Sequence, residues 1–147
     1  MTIQLDVQFA VEDTDIPTEL YFKTCAKSIP TTDVDVSVCL RIVGKDEARD
    51  LNNRYRNINK PTNVLSFSSD VSKELEINFL GDVVICAPLV CQEALIQEKN
   101  LDSHWAHLLV HGILHLQGYN HDNVKRAKEM EALEISTLKH LGIENPY

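Results

Sequence analysis

Ser103-His104-Trp105-Ala106-His107-Leu108-Leu109-Val110-His111-Gly112-Ile113-Leu114-His115-Leu116-Gln117-Gly118-Tyr119-Asn120-His121 is the stretch on which the reading of this chain turns. Up to Leu116 it is apolar almost all round, which predicts a buried helix. A polar stripe crosses it at His104, His107, His111 and His115, with spacings of three, four and four. Residues at i and i+4 stand one above the other on one helix face, so the rings of His111 and His115 can converge on a point. Gly118 ends the helix, and a reversal at Tyr119-Asn120 can return His121 to the same point. Three neutral imidazoles with an open fourth position are the ligand set of a catalytic zinc. A closed structural site would need a fourth protein ligand, and no cysteine lies nearby to supply one. The expectation is one zinc ion per chain, held by His111, His115 and His121. A lone buried histidine is ordinarily just satisfied by a hydrogen bond, but this pattern is what zinc sites demand. His104 and His107 are read as supporting or packing groups, and His140 as facing solvent. In the zinc peptidase pattern H-E-x-x-H the residue after the first histidine is a glutamate base; here it is Gly112.

Outward from the histidines, the rest of the chain supplies alternating strands and helices. Ile3, Leu5, Val7 and Phe9 alternate with polar residues, as in a half-buried strand. Pro17 suits the first turn of a helix running to about Ser28. Val34, Val36, Val38, Leu40 and Ile42 give the strongest period-2 signal. Lys45 to Arg56 is read as helical, with Ala48, Leu51 and Tyr55 at 3–4 spacing. Asn63 to Phe67 and Phe79 to Cys86 are read as strands, and polar Ser68 to Asn78 as a surface loop. Pro88 opens a helix to about Lys99, Asp102 or Ser103 caps the histidine helix, and Gly118 stops it. Val124, Ala127, Met130, Leu133 and Leu138 mark a last amphipathic helix that Gly142 ends. The order β-α-β-α-β-β-α-α-α predicts one α+β domain over residues 1–147, a small mixed four-stranded sheet flanked by helices.

The chain's 147 residues are enough for one unaided core. No apolar run approaches the roughly 20 residues that span a bilayer, and Met1 to Asp6 show no secretion signal, so a cytoplasmic, membrane-free protein is expected. Cys25, Cys39, Cys86 and Cys91 form no C-x-x-C pair and are read as buried, reduced thiols. The formal charge of −8 opposes broad affinity for nucleic acid, which comes from Lys and Arg. Yet Arg41, Lys45, Arg49, Arg54, Arg56 and Lys60 fall in one stretch whose acids are Asp46, Glu47 and Asp50. That stretch is net +3 and leaves −11 elsewhere. On charge alone it reads as a solvated helix face with pairs at helical spacing.

The motif His111-Gly112-Ile113-Leu114-His115-Leu116-Gln117-Gly118-Tyr119-Asn120-His121 resembles H-G-x-L-H-L-x-G-Y-D-H of the YbeY family of bacterial rRNA-maturation endoribonucleases. Leu51-Asn52-Asn53-Arg54-Tyr55-Arg56, followed by Pro61-Thr62-Asn63-Val64-Leu65-Ser66-Phe67, is similar to a second family block. Leu80-Gly81-Asp82-Val83-Val84-Ile85-Cys86 is similar to a third. The resemblance implies zinc on the three motif histidines and a functional arginine at Arg56. It also implies a single-strand endoribonuclease of 16S rRNA 3′-end maturation and ribosome quality control. Its partners would be single-stranded RNA of the 16S precursor and the ribosomal small subunit with its proteins; the chain itself is expected to be a monomer. Two positions depart from the pattern: Asn120 replaces the usual aspartate and brings no negative charge near the ligands, and Ser68 stands where proline often follows. Two rivals remain at this point. One is a zinc hydrolase of peptides, against which Gly112 counts; the other is an assembly factor that uses the metal for stability alone.

Overall fold

Period-2 hydrophobicity becomes strand and 3–4 spacing becomes helix in the order β1 (Ile3–Phe9), α1 (Glu19–Lys27), β2 (Val36–Val43), α2 (Lys45–Arg56), β3 (Val64–Ser68), β4 (Phe79–Cys86), α3 (Ala87–Ile96), α4 (Leu101–Leu116) and α5 (Val124–His140). This is a computed structural model, and it describes residues 2–12, 15–31, 34–69 and 78–147. The strands form one mixed sheet in the order β1-β2-β4-β3. The β1/β2 and β2/β4 pairs are parallel, while β3 runs antiparallel to β4 at the edge. The fold is therefore α+β with a small four-stranded mixed sheet, as the element order implied. Among the described residues no helix is long and apolar enough to cross a membrane.

The uninterrupted run Val83-Val84-Ile85-Cys86 is buried on both faces of the sheet, as an interior strand requires. Val83 and Ile85 join Val38, Leu40 and Ile42 in the larger core with Phe22 of α1, Trp105, Leu109 and Ile113 of α4, and Met130 and Leu138 of α5. Phe22 and Trp105 meet edge to face, with ring centroids 5.5 Å apart. On the opposite face Val84, Cys86, Leu65 and Val43 pack with Ala48 of α2, joined by Leu51, Phe67 and Leu89. β3 thus sends Leu65 and Phe67 to the α2 side, while Ser66 lies toward α4 and donates to the Gly112 carbonyl.

Several boundaries differ from the sequence expectation. Pro17 precedes α1 instead of opening it, because Thr18 is the N-cap and its hydroxyl accepts from Tyr21 N at 3.2 Å. Neither Asp102 nor Ser103 caps α4; the Asn100 side chain accepts from Ser103 N at 3.0 Å, starting the helix earlier. α3 stops at Ile96, since Glu98 adopts φ 52 and Lys99 N returns to Ala94 O at 2.9 Å. Val34 lies outside β2, and β3 occupies Val64–Ser68, one residue later than expected. Of the expected loop, residues 70–77 lie outside the described residues. Cys25 and Cys86 are buried, but Cys39 and Cys91 are only partly covered.

Candidate metal centre

The histidine helix is seated on the sheet through the one position that has no side chain. A Cβ at Gly112 would lie 2.7 Å from Val83 Cγ1 and 3.2 Å from Ser66 Oγ, and Ser66 Oγ donates to Gly112 O at 3.0 Å. Position 112 therefore points into the sheet while His111 and His115 turn toward a cleft. A glutamate here could not face that cleft, so the peptidase base is excluded by packing as well as by identity.

The end of α4 explains how His121 returns. Tyr119 N bonds Leu114 O at 3.1 Å and Gly118 N bonds His115 O at 3.0 Å, while Gly118 takes φ +97. This paired closure is the Schellman arrangement, and its left-handed position favours glycine. Asn120 Oδ1 accepts from Asp122 N at 3.4 Å within the reversal. The ring centroids of His111 and His121 are then 5.7 Å apart, and those of His115 and His121 5.1 Å. One ligand atom from each of His111, His115 and His121 lies within 4.8 Å of the others.

The donor set fits a metal ion. His111 Nδ1 lies 2.5 Å from Glu134 Oε1; a carboxylate only accepts, so Nδ1 carries the proton and Nε2 the lone pair. That Nε2 faces His115 Nε2 at 3.1 Å. Two ligand nitrogens on a tetrahedral zinc, at about 2.05 Å each, stand about 3.3 Å apart. Burial, followed by the neighbouring His111 and His121 rings, lowers the pKa of His115 below its ordinary value, against a hydrogen bond to the Tyr119 backbone that raises it. The neutral imidazole needed for ligation is thereby favoured.

Glu134 was not singled out by the sequence reading. It is 0% exposed on α5, bonded through Oε2 to His107 Nε2 at 2.9 Å and to the Tyr147 hydroxyl, and through Oε1 to His111. Burial would push this carboxyl up, but hydrogen bonds from His107, His111 and Tyr147 outweigh it and hold the pKa down at about 2. A signal existed: Glu134 sits midway between Met130 and Leu138 at i,i+4 spacing, on the stripe that should be apolar. His107, His111 and Glu134 also have atoms close enough to hold an ion. Their separations of 2.5 and 2.9 Å are those of charge-assisted hydrogen bonds, so the group reads as support for the histidines. His104 is a packing residue that bonds Glu93 Oε1 at 3.0 Å, and His140 is exposed.

Arg56 reaches the same site from the other side of the edge strand. It is the last residue of α2, which ends because Asn57 adopts φ 57, and buried Asn52 Nδ2 ties the following loop by donating to Lys60 O at 2.8 Å. Arg56 lines a cleft of about 510 Å3 together with Thr62, Asn63, Val64, Leu65, Ser66, Ser68 and the three histidines. Among the described residues no carboxylate pairs with Arg56. Two other basic residues of the stretch are engaged: Arg41 lies on β2 and is held by Glu47 at 2.6 and 3.1 Å, and Arg49 approaches Asp46 at 3.7 Å.

Fold and site together define an α+β protein with a helix-borne group able to hold a metal ion beside an open cleft. A family model described as endoribonuclease YbeY matches residues 6–142. The chain belongs to the YbeY endoribonuclease family, and RNA is accordingly its substrate class, in rRNA maturation. The fold is also similar to the solution structure of TM1509 from Thermotoga maritima, with TM-score 0.53 and 21% identity over 95% of this chain and 91% of that one.

Proposed function

We propose that this chain is a zinc-dependent, single-strand-specific endoribonuclease acting in 16S rRNA 3′-end maturation and ribosome quality control. One zinc per chain would be held by His111, His115 and His121. The observation that carries this reading is the convergence of three imidazoles on a cleft that Arg56 also lines, with no carboxylate among the described residues paired to it. When bound, the ion supplies Lewis acidity toward water and the phosphoryl oxygens. Arg56 neutralises charge that builds on those oxygens, bidentately where its planar fork allows. Ser66 shapes the cleft with its one hydroxyl hydrogen committed to Gly112 O, and Asn63 is oriented there by donating to the Glu93 carboxylate. The attacking group is a water or the RNA's own 2′-hydroxyl.

Single strands are favoured because the histidines lie inside a cleft that a bent strand can enter. With a total charge of −8 and Arg41 tied to Glu47, few phosphates can be neutralised, so affinity for free RNA is weak and its salt dependence shallow. Selectivity then comes from the ribosomal small subunit and its proteins, met by a monomer in the cytoplasm. The test measures zinc content and cleavage together on wild type, His111→Ala, His115→Ala and His121→Ala. Its substrates are a short single-stranded 16S 3′-end RNA, its duplex and intact precursor subunits. Loss of zinc and of single-strand cleavage in all three variants, with a gain in selectivity on subunits, is expected. Full zinc content in the variants, or equal cleavage of the duplex, would overturn the reading.

A further inference from the structure

We propose that Glu134 and Tyr147 are positioning residues for the ion-binding histidines: the carboxylate locks the orientation and tautomer of His111, and the tyrosine hydroxyl holds the carboxylate. The inference rests on the three-histidine reading above. Glu134 is completely buried between α4 and α5, and each of its oxygens faces a side-chain donor: Oε1 takes His111 Nδ1, and Oε2 takes His107 Nε2 and the Tyr147 hydroxyl. A carboxylate on the far nitrogen of a ligating imidazole fixes which nitrogen is free to ligate and makes it more basic. It also places a negative charge beside a cation in a poorly solvated setting. Asn120 cannot supply that charge, and its side-chain oxygen is engaged in the reversal instead.

Tyr147 is brought to this point by the end of α5. Gly142 takes φ +76, Ile143 N returns to Leu138 O at 2.9 Å, and the chain doubles back over α4. Lys99 Nζ donates to Pro146 O at 3.3 Å, and the Tyr147 ring meets the His107 ring edge to face at 5.3 Å. Tyr147 is still 60% exposed, so its position is not explained by burial of the ring. Its hydroxyl is placed where the buried carboxylate needs a third donor.

Zinc affinity is measured by chelator competition on wild type, Glu134→Gln, Tyr147→Phe, the double variant and His115→Ala. Absorption spectra of the cobalt-substituted forms report ligand geometry. Glu134→Gln is expected to weaken zinc binding by about 10–100-fold, as loss of an outer partner does. Tyr147→Phe is expected to weaken it severalfold and to change the cobalt spectrum, while the metal-free protein still folds and loses only the stability of one hydrogen bond to a charged group. Because the tyrosine acts through the carboxylate, the double variant is to bind no more weakly than Glu134→Gln alone. If Glu134→Gln does not fold, Tyr147→Phe carries the test by the same two readouts. Wild-type affinity and cobalt spectrum in Tyr147→Phe, or additive losses in the double variant, would overturn the positioning role while His115→Ala still loses its zinc. Zinc retained by His115→Ala would instead overturn the three-histidine reading beneath it.

Discussion

Replacing Gly112 by alanine sets two opposing effects of known size against each other. Alanine within a helix is favoured over glycine by about 1 kcal/mol. Against this, the new Cβ would stand 2.7 Å from Val83 Cγ1 and 3.2 Å from Ser66 Oγ. Val83 is 0% exposed, β-branched and on a strand paired on both sides, so its χ1 is restricted and its methyl groups cannot swing away as a long flexible side chain could. α4 must lift from the sheet, and overpacking of this kind costs about 1–3 kcal/mol. The net expectation for Gly112→Ala is a loss of about 1 kcal/mol, near 2–4 °C in melting temperature for a domain of this size. Urea unfolding of the metal-free protein measures it. In a Val83→Ala background the 2.7 Å clash is gone and only the 3.2 Å approach to Ser66 Oγ remains, so the same substitution should cost clearly less than in the wild type. If Gly112→Ala alone proves more stable than wild type, helix propensity is unopposed and α4 is not seated on β4 as described.

Arg56→Ala is expected to lower RNA cleavage by about tenfold or more with zinc content and stability unchanged, as for a group acting on transition-state charge; Arg56→Lys should restore it only in part, since lysine lacks the fork. Wild-type cleavage by Arg56→Ala would remove the arginine from the chemistry. The metal-free protein should lose stability as the pH falls below the ordinary imidazole value of 6.5, because burial first, then His111 and His121, lower the pKa of His115. A lowered folded-state pKa means that the unfolded chain binds the extra proton, so stability is complete above the unfolded value and declines toward the folded one. Urea midpoints from about pH 8 to about pH 5 test this, and His115→Gln should flatten the profile; equal slopes in both proteins would count against it.

The histidine helix, its glycine stop and the four strands were legible in the sequence because each is written locally: β1 and β2 in period-2 alternation, and β3 and β4 in short apolar segments bounded by polar residues and proline. The i,i+4 spacing of His111 and His115 is a property of any helix, and Gly118 in the left-handed region closes α4 whatever packs around it. Capping was less legible: Asn100, Asp102 and Ser103 can all cap, and backbone position chose Asn100. The edge position of β3 was not legible at all, because strand order depends on which faces helices cover, and that is not encoded in any one segment. Arg56 came from resemblance alone, since its place in the cleft depends on the α2 end turning around that edge strand. Glu134 and Tyr147 lie 23 and 36 positions beyond His111, and only the packing of α5 and the returning tail against α4 brings their oxygens to that ring. The sequence by itself determined which side chains could ligate and on what local scaffold. The tertiary structure decided which buried charge stands behind them, because hydrogen bonding reaches only about 3 Å and folding alone closes that distance.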